Sequence, residues 1–460
     1  MPEMNQRIPK RVLSGLLSSI SAGVVPRMGA PYIAIGRTEE IEALLSDLEA
    51  VNDGGGSMRF IIGKYGSGKS FLIQLVRGYS LERGFITADA DLSPERRICG
   101  AKGTGIATYR ELIKNLASKS SPDGGALVQI IAKWLSELQS EVASQGLEPG
   151  SEEFIKALSA RIYSVARQLE SQIGGFDFAT ILTTYYKAYI EEDEELKSAC
   201  MRWLRGEYST KTEARNAIGK SIGGIIDDDN WYEYIKLYAV FFRKIGYRGF
   251  VVFIDECVNL YKISNRISRE NNYEKLLSMF NDALQGKAEG LALIFGGTPQ
   301  FLEDQRRGLF SYEALKSRLS DGQFQKAGFK NLIGPVIRLR RLSDDELFAL
   351  ITRITNLHSQ NYSWQPRVTN EDMTAFLRIC LERAGADTMI TPREIIRDYM
   401  NVLNILLQNP DTAFADVVGS GVVTLSHGKN DDDVFIDDAE DTQKVKTISY
   451  AEFSFEDIEL

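Results

Sequence analysis

The sequence predicts an α/β protein built on a parallel sheet, carrying a long helical insertion and a C-terminal all-α domain. Three observations carry that expectation. Two runs, 250–254 and 291–295, are wholly apolar, as strands buried on both faces are. Strand-like and helix-like patterns alternate from residue 32 to about 90. Helical periodicity then dominates 108–246 and returns over 343–407, with few strand signals.

The elements follow in order. Arg7, Lys10 and Arg11 precede a moderately apolar stretch, 12–25, that loosely imitates a secretory signal. Ser and Gly interrupt it, and Leu13, Leu16, Leu17 and Ile20 fall at helical spacing. A short amphipathic helix packing on the body is the better reading. Residues 32–37 lead into a helix whose Ile41, Leu44, Leu45 and Leu48 share one face. A Gly-rich break at 52–57 precedes a buried strand at 58–62. Residues 63–70 form a loop, Phe71, Leu72, Leu75 and Val76 begin another helix, and 85–90 is the next strand.

Within the insertion, helices are expected over 127–138, 154–169 and 180–196. Its last helix, near 231–245, places Trp231, Tyr234, Tyr238, Phe241 and Phe242 on one face. Packing against the sheet explains that stripe, with a stacking surface for bases as the alternative. Asp227, Asp228 and Asp229 read as a cap for the same helix rather than a metal site. Residues 336–339 supply a last strand, and Ser343-Asp-Asp-Glu346 begins a helix with acidic first-turn residues. The expected divisions are 1–31 as an N-terminal helical segment, 32–107 and 247–340 as the α/β core, and 108–246 as the insertion. Residues 341–408 form the all-α domain, and 409–460 a flexible tail.

Composition sets the outer limits. The 460 residues are 43% hydrophobic and 25% charged, and no 18-residue apolar run is present, so no membrane partner is expected. Four scattered cysteines and two histidines, His358 and His427, form no zinc-type or disulfide spacing, which points to a reducing cytoplasm. The net charge of −9 is uneven. Residues 429–460 hold eleven Asp/Glu and three Lys, leaving 52 acidic against 51 basic residues in the rest. A neutral body makes no bulk electrostatic case for nucleic acid. Arg266, Arg269, Arg306 and Arg307 read equally as partner contacts or as solvated arginines. The end of the chain, 453–460, alternates apolar and acidic residues, a pattern open to strand addition or to an unpartnered disordered end.

Two motifs carry chemistry. Residues 63–70 read Gly-Lys-Tyr-Gly-Ser-Gly-Lys-Ser, matching G-x-x-x-x-G-K-[ST] between a strand and a helix. Glycines let successive N–H groups converge on phosphates, and the following helix offers its positive end. Lys69 is expected to reach the β- and γ-phosphates of ATP, and Ser70 to bind Mg²⁺. The second motif is Asp255-Glu256 at the end of the strand 250–254. Asp255 suits holding Mg²⁺, and Glu256 suits orienting the attacking water.

With these residues in view, the sequence resembles an AAA+ ATPase over about 33–407. The resemblance rests on 63–70, on Asp255-Glu256 and on the strand ending Gly297-Thr298. Ser317-Arg318-Leu319 and Thr391-Pro392-Arg393 then follow in the order of that superfamily's later motifs. The segment 36–40, Gly-Arg-Thr-Glu-Glu, is similar to the adenine-side segment of origin-recognition and STAND proteins. More narrowly, 61–71 and 90–97 resemble the BrxC/BrxD ATP-binding family of BREX phage-defence systems, BrxD by length. The resemblance implies a P-loop core under a helical lid. It implies nucleotide binding by Gly36, Arg37, Gly63, Gly66, Ser67, Gly68, Lys69, Ser70, Phe71 and Arg393. It further implies Thr298 as a first sensor, Arg318 as a finger reaching a neighbouring subunit, and Arg393 as a second sensor.

The expected function is therefore an ATPase that drives assembly or remodelling of a DNA-associated anti-phage complex. Expected partners are other defence proteins, further copies of the chain when ATP is bound, and DNA, directly or through those proteins. The alternative is an ATP-dependent switch or loader that rarely hydrolyses.

Overall fold

Every side chain of the strand Phe250–Asp255 is buried, because the sheet it belongs to is covered on both faces. The computed structural model describes residues 8–170, 172–320, 331–383 and 391–419. Its sheet holds β1 (Ser57–Ile62), β2 (Ile86–Asp91), β3 (Phe250–Asp255), β4 (Leu291–Gly297) and β5 (Val336–Arg338). The order is β2-β3-β4-β1-β5, and every pairing is parallel. Parallel neighbours need crossover connections, which the intervening helices supply.

The period of two along each strand divides the side chains between two cores. Phe250, Val252 and Ile254 join Leu291, Leu293 and Phe295 in the large core shared with the insertion. Val251 and Phe253 join Ile61, Ala292 and Ile294 beneath the helices Thr38–Asn52 and Lys69–Glu82. Of the expected face on the first of these helices, Ile41, Leu44 and Leu48 are buried, and Leu45 packs at the edge.

The aromatic helix, Trp231–Lys244, is a wedge between the sheet and the insertion. Phe242 meets Phe250 of β3 edge-on at 5.3 Å, while Phe241 meets Trp134 at 5.4 Å and Tyr238 meets Phe178 at 5.1 Å. All five aromatics of the stripe are buried, so packing, and not base stacking, accounts for them.

Three expectations about the helical regions need correction. The helix expected over 180–196 is two helices, Gly175–Ile190 and Glu194–Leu204. Glu192 adopts φ +54°, and the Asp193 carboxylate accepts the Leu196 N–H at 2.9 Å, starting the second helix. The Asp227–Asp229 run does not cap the aromatic helix with its central carboxylate. Asp228 instead accepts the N–H groups of Gly103, Gly105 and Ile106 at 2.8–2.9 Å, capping the helix Thr104–Lys114. The third correction concerns the tail. A further helix, Phe414–Gly419, follows Asn409-Pro410 and buries Phe414, Val417 and Val418. Residues 420–460, including the acidic run and the alternating end, lie outside the described residues.

A separate helical core contains the helices Asp344–Tyr362, Asn370–Arg383 and Pro392–Gln408. The N-terminal helix, Lys10–Ser21, packs into it with Leu13, Leu16, Leu17 and Ile20, so the two ends of the described chain share one core. Ser343 and Glu346 form the expected helix start as a reciprocal capping box.

Candidate functional site

The glycine-rich loop joins β1 to the helix Lys69–Glu82, which already includes Lys69 and Ser70 in its first turn. Because β1 lies beside β4, the Gly63 N–H donates to the Gly297 carbonyl at 3.1 Å. The Lys69 ammonium curls over the loop, donating to the Gly63 carbonyl at 2.9 Å and the Lys64 carbonyl at 3.2 Å. Ser67 Oγ is buried and finds no protein partner, a polar group suited to a phosphate-bearing ligand.

At the end of β3, Asp255 accepts the Ser70 hydroxyl on Oδ2 at 2.7 Å and the Glu256 N–H on Oδ1 at 2.8 Å. The neighbouring strand leaves room for this carboxylate only because residue 296 is glycine. A Cβ there lies 2.2 Å from Asp255 Oδ1. Glu256 stands in the left-handed region, φ +58°, and lines the cleft. Burial, then the charge of Asp255, then that of Asp91, pushes the Glu256 carboxyl above the usual range. Asp91 faces Asp255 in register across β2 and β3, and burial followed by the Asp255 charge raises it too.

Arg37 is 3% exposed, and its guanidinium is committed to protein groups. It donates to the Ser67 carbonyl at 2.9 Å, to the Arg340 carbonyl at 2.7 Å and to Glu40 at 3.4 Å. One side chain thus ties the glycine-rich loop to the segment leaving β5. Gly36 abuts Glu346, which accepts two bonds from Arg340 at 2.5 and 2.6 Å.

The helix Pro392–Gln408 closes the far wall. Thr391 and Glu394 form a capping box at its start, and Pro392 occupies the first turn, where a missing N–H costs nothing. The Arg393 guanidinium lies 5.9 Å from the Tyr65 ring centroid. Gly66, φ +72°, lets the loop pass against Thr391, whose Cγ2 is 2.2 Å from where a Cβ would stand.

These elements enclose a cavity of about 260 Å³. Its lining is in part polar, with Arg37, Lys69, Ser70, Glu256 and Arg393, and in part apolar, with Val24, Val25, Pro26, Ile35, Phe71, Leu342 and Ile396. The polar groups suit phosphates and the apolar ones a flat base. Ser70 and Asp255 are hard oxygen donors that suit Mg²⁺, an ion that keeps waters and phosphate oxygens as further ligands. Among the described residues there is no cluster of three or more His, Cys, Asp or Glu side chains arranged for a metal.

Five expected residues do not line the cavity: Gly36, Gly63 and Asp255, which adjoin residues that do, and Thr298 and Arg318. Thr298 is 6% exposed, and its hydroxyl accepts the Phe301 N–H at 3.3 Å, starting the helix Pro299–Glu303. Arg318 is exposed on the helix Glu313–Leu319 and donates to the Ala314 carbonyl of its own helix at 2.8 Å. Of the other arginines weighed as partner contacts, three are engaged locally, and Arg306 is exposed. Arg269 and Arg307 both donate to the Ile263 carbonyl, and Arg266 pairs with Glu270. Sequence reasoning missed the wall formed by 23–26 and Tyr65, and the space that Gly296 leaves for Asp255. The only signal was Val24-Val25-Pro26, a short apolar run after the first helix.

The model of the family described as BREX system ATP-binding protein BrxC/D matches residues 8–421. The chain belongs to that family. The matched range takes in the first helix, the whole sheet and the C-terminal helices, and with them every residue that lines the cavity. No curated protein matches the sequence. Among the described residues, no helix is long and apolar enough to cross a membrane.

Proposed function

We propose that the chain is an AAA+ ATPase that couples ATP binding and hydrolysis to assembly or remodelling of a DNA-associated BREX defence complex. The carrying observation is that Ser70, Asp255 and Glu256 meet at a cleft lined also by Lys69 and Arg393. The strand order supports the reading by bringing the ends of β1, β3 and β4 side by side.

In this reading the triphosphate substrate lies along residues 63–70, where loop N–H groups and the helix end favour negative charge. Lys69 exchanges its carbonyl partners for phosphate oxygens. Ser70 and Asp255 would hold Mg²⁺, which when bound would offset the charge developing on the phosphates. Glu256 orients water in line with the γ-phosphate, the base packs on the apolar lining residues, and Arg393 reports occupancy to the helical domain, which acts as a lid. Arg318 reaches the site of a neighbouring copy and stabilises transition-state charge there. Thr298 acts as a first sensor through its hydroxyl proton, which accepting the Phe301 N–H leaves free to donate. That hydroxyl is buried and held at a helix start, which favours slow intrinsic turnover and keeps an ATP-dependent switch as the second reading.

ATP turnover by purified protein, with and without duplex DNA, tests the reading beside Glu256→Gln, with mass in solution recorded. The ATPase reading expects hydrolysis by the unsubstituted protein and ATP binding without hydrolysis by the variant. ATP-dependent assembly with no turnover in either protein selects the switch.

A further inference from the structure

Glu256 is one of four non-glycine residues with positive φ among the described residues, and the one that lines the cleft. A long side chain in the left-handed region is held there by its surroundings, and such outliers gather where a side chain must be aimed. What holds it can be named. On its N-terminal side, Asp255 Oδ1 accepts the Glu256 N–H at 2.8 Å. On its C-terminal side, the Glu256 carbonyl accepts two bonds from Asn259, the backbone N–H at 3.0 Å and Nδ2 at 3.2 Å. The next peptide is fixed as well, since the Cys257 N–H donates to the Gly296 carbonyl at 3.0 Å.

The Asn259 amide reaches a second strand. Nδ2 also donates to the Leu92 carbonyl at 2.9 Å, while the Leu92 N–H donates to the Asp255 carbonyl at 3.0 Å. One NH₂ group therefore supplies both residues that follow the strand ends, Leu92 after β2 and Glu256 after β3. With the peptides on both sides of Glu256 pinned, its Cα–Cβ bond has one direction available, toward the cleft.

We infer that Asn259 is a positioning residue for the hydrolytic step, fixing the backbone of Glu256 so that its carboxylate points at the attacking water. The inference rests on the reading of Glu256 as the water-orienting group. Asn259 itself does not line the cavity. Its removal should therefore slow chemistry and leave substrate binding intact, because the phosphate loop and Arg393 do not depend on it. A misplacement of about 1 Å in a catalytic group can cost on the order of 100-fold in rate.

The experiment compares Asn259→Ala, Asn259→Asp and Glu256→Gln in the full chain, measuring kcat, ATP affinity and thermal stability. Asn259→Ala should lower kcat by roughly 10- to 100-fold and leave the Kd for ATP within about twofold, since no ATP contact is removed. Asn259→Asp keeps the shape and turns the donor into an acceptor facing two carbonyls, so its kcat should be at least as low. It also serves as the test if the alanine variant does not fold. Unchanged kcat in a folded Asn259 variant, with Glu256→Gln inactive, overturns the inference alone. A fall in ATP affinity as large as the fall in kcat also overturns it, in favour of a purely structural amide. Turnover by Glu256→Gln at the unsubstituted rate, or none by the unsubstituted protein, overturns the parent reading and the inference with it.

Discussion

The Ser70 hydroxyl donates to Asp255 Oδ2 at 2.7 Å across 185 residues of sequence. The helical insertion and the strand β3 both intervene in the chain between them. Parallel pairing of β3 with β4, and of β4 with β1, brings the two ends back together at one edge of the sheet. Ligands of open α/β sheets bind at that edge, beyond the carboxyl ends of the strands.

Gly296→Ala tests the space around Asp255. The added methyl would stand 2.2 Å from Oδ1, so the carboxylate must swing away from Ser70. Displacing the partner of a metal ligand typically costs 10–100-fold in metal affinity, and a loss of about tenfold or more is expected in Mg²⁺-dependent ATP binding. Titration of ATP with and without Mg²⁺ measures it, and the Mg²⁺-free affinity should barely change.

Arg37→Ala removes a buried guanidinium that bridges the Ser67 and Arg340 carbonyls. Bonds to a charged donor are individually strong, so a loss of about 2–4 kcal/mol in unfolding free energy is expected. Lys replaces a planar fork with a single ammonium and should restore only part of it. Denaturant unfolding of the three proteins decides the order of stability.

Acidification separates the carboxylates. Glu256 and Asp91 are both raised, first by burial and then by Asp255. A carboxyl raised on folding contributes stability that is complete below its unfolded pKa and lost as pH rises through the folded value. Glu256→Gln should therefore raise Tm of the substrate-free protein at neutral pH. The gain should vanish below about pH 4, where an ordinary carboxyl is protonated. Asp91→Asn removes a charge that raises Glu256, so the acid limb of ATP turnover should move to lower pH. Calorimetry and a pH–rate profile read the two effects, and a limb moving upward would contradict the sign.

Arg318→Ala should leave ATP binding and thermal stability unchanged, because among the described residues the exposed side chain bonds only within its own helix. Turnover by assembled protein should fall by about 10³-fold if Arg318 acts across a subunit boundary. A dilution series supplies the check, since a residue acting within its own subunit would lower the rate equally at every concentration.

The parts of the protein legible in the sequence are those governed by local rules. The apolar runs of β3 and β4 reveal strands buried on both faces, and the 63–70 spacing reveals a glycine-rich loop between strand and helix. Leu13, Leu16, Leu17 and Ile20 reveal a buried helical face, though not which core receives it. Three features were misjudged because a non-local contact decides them. Asp228 caps a helix more than 100 residues upstream, which no neighbouring pattern announces. The helix Phe414–Gly419 forms in a polar stretch because Phe414, Val417 and Val418 find an apolar surface to cover. The break at Glu192 divides a continuous helical periodicity so that two helices can pack against each other.

The same division runs through the site. By itself the sequence determined the chemistry available, because the loop glycines, Lys69, Ser70, Asp255 and Glu256 carry their properties in residue type and spacing. Tertiary structure alone decided how those groups are used. It buried Arg37 as a brace between loop and linker, engaged Thr298 in a helix cap, and brought Val24–Pro26 to the cavity lining. The physical reason is that hydrogen-bond partners and cavity walls depend on separation in space. Periodicity along the chain reports only which face of an element turns inward.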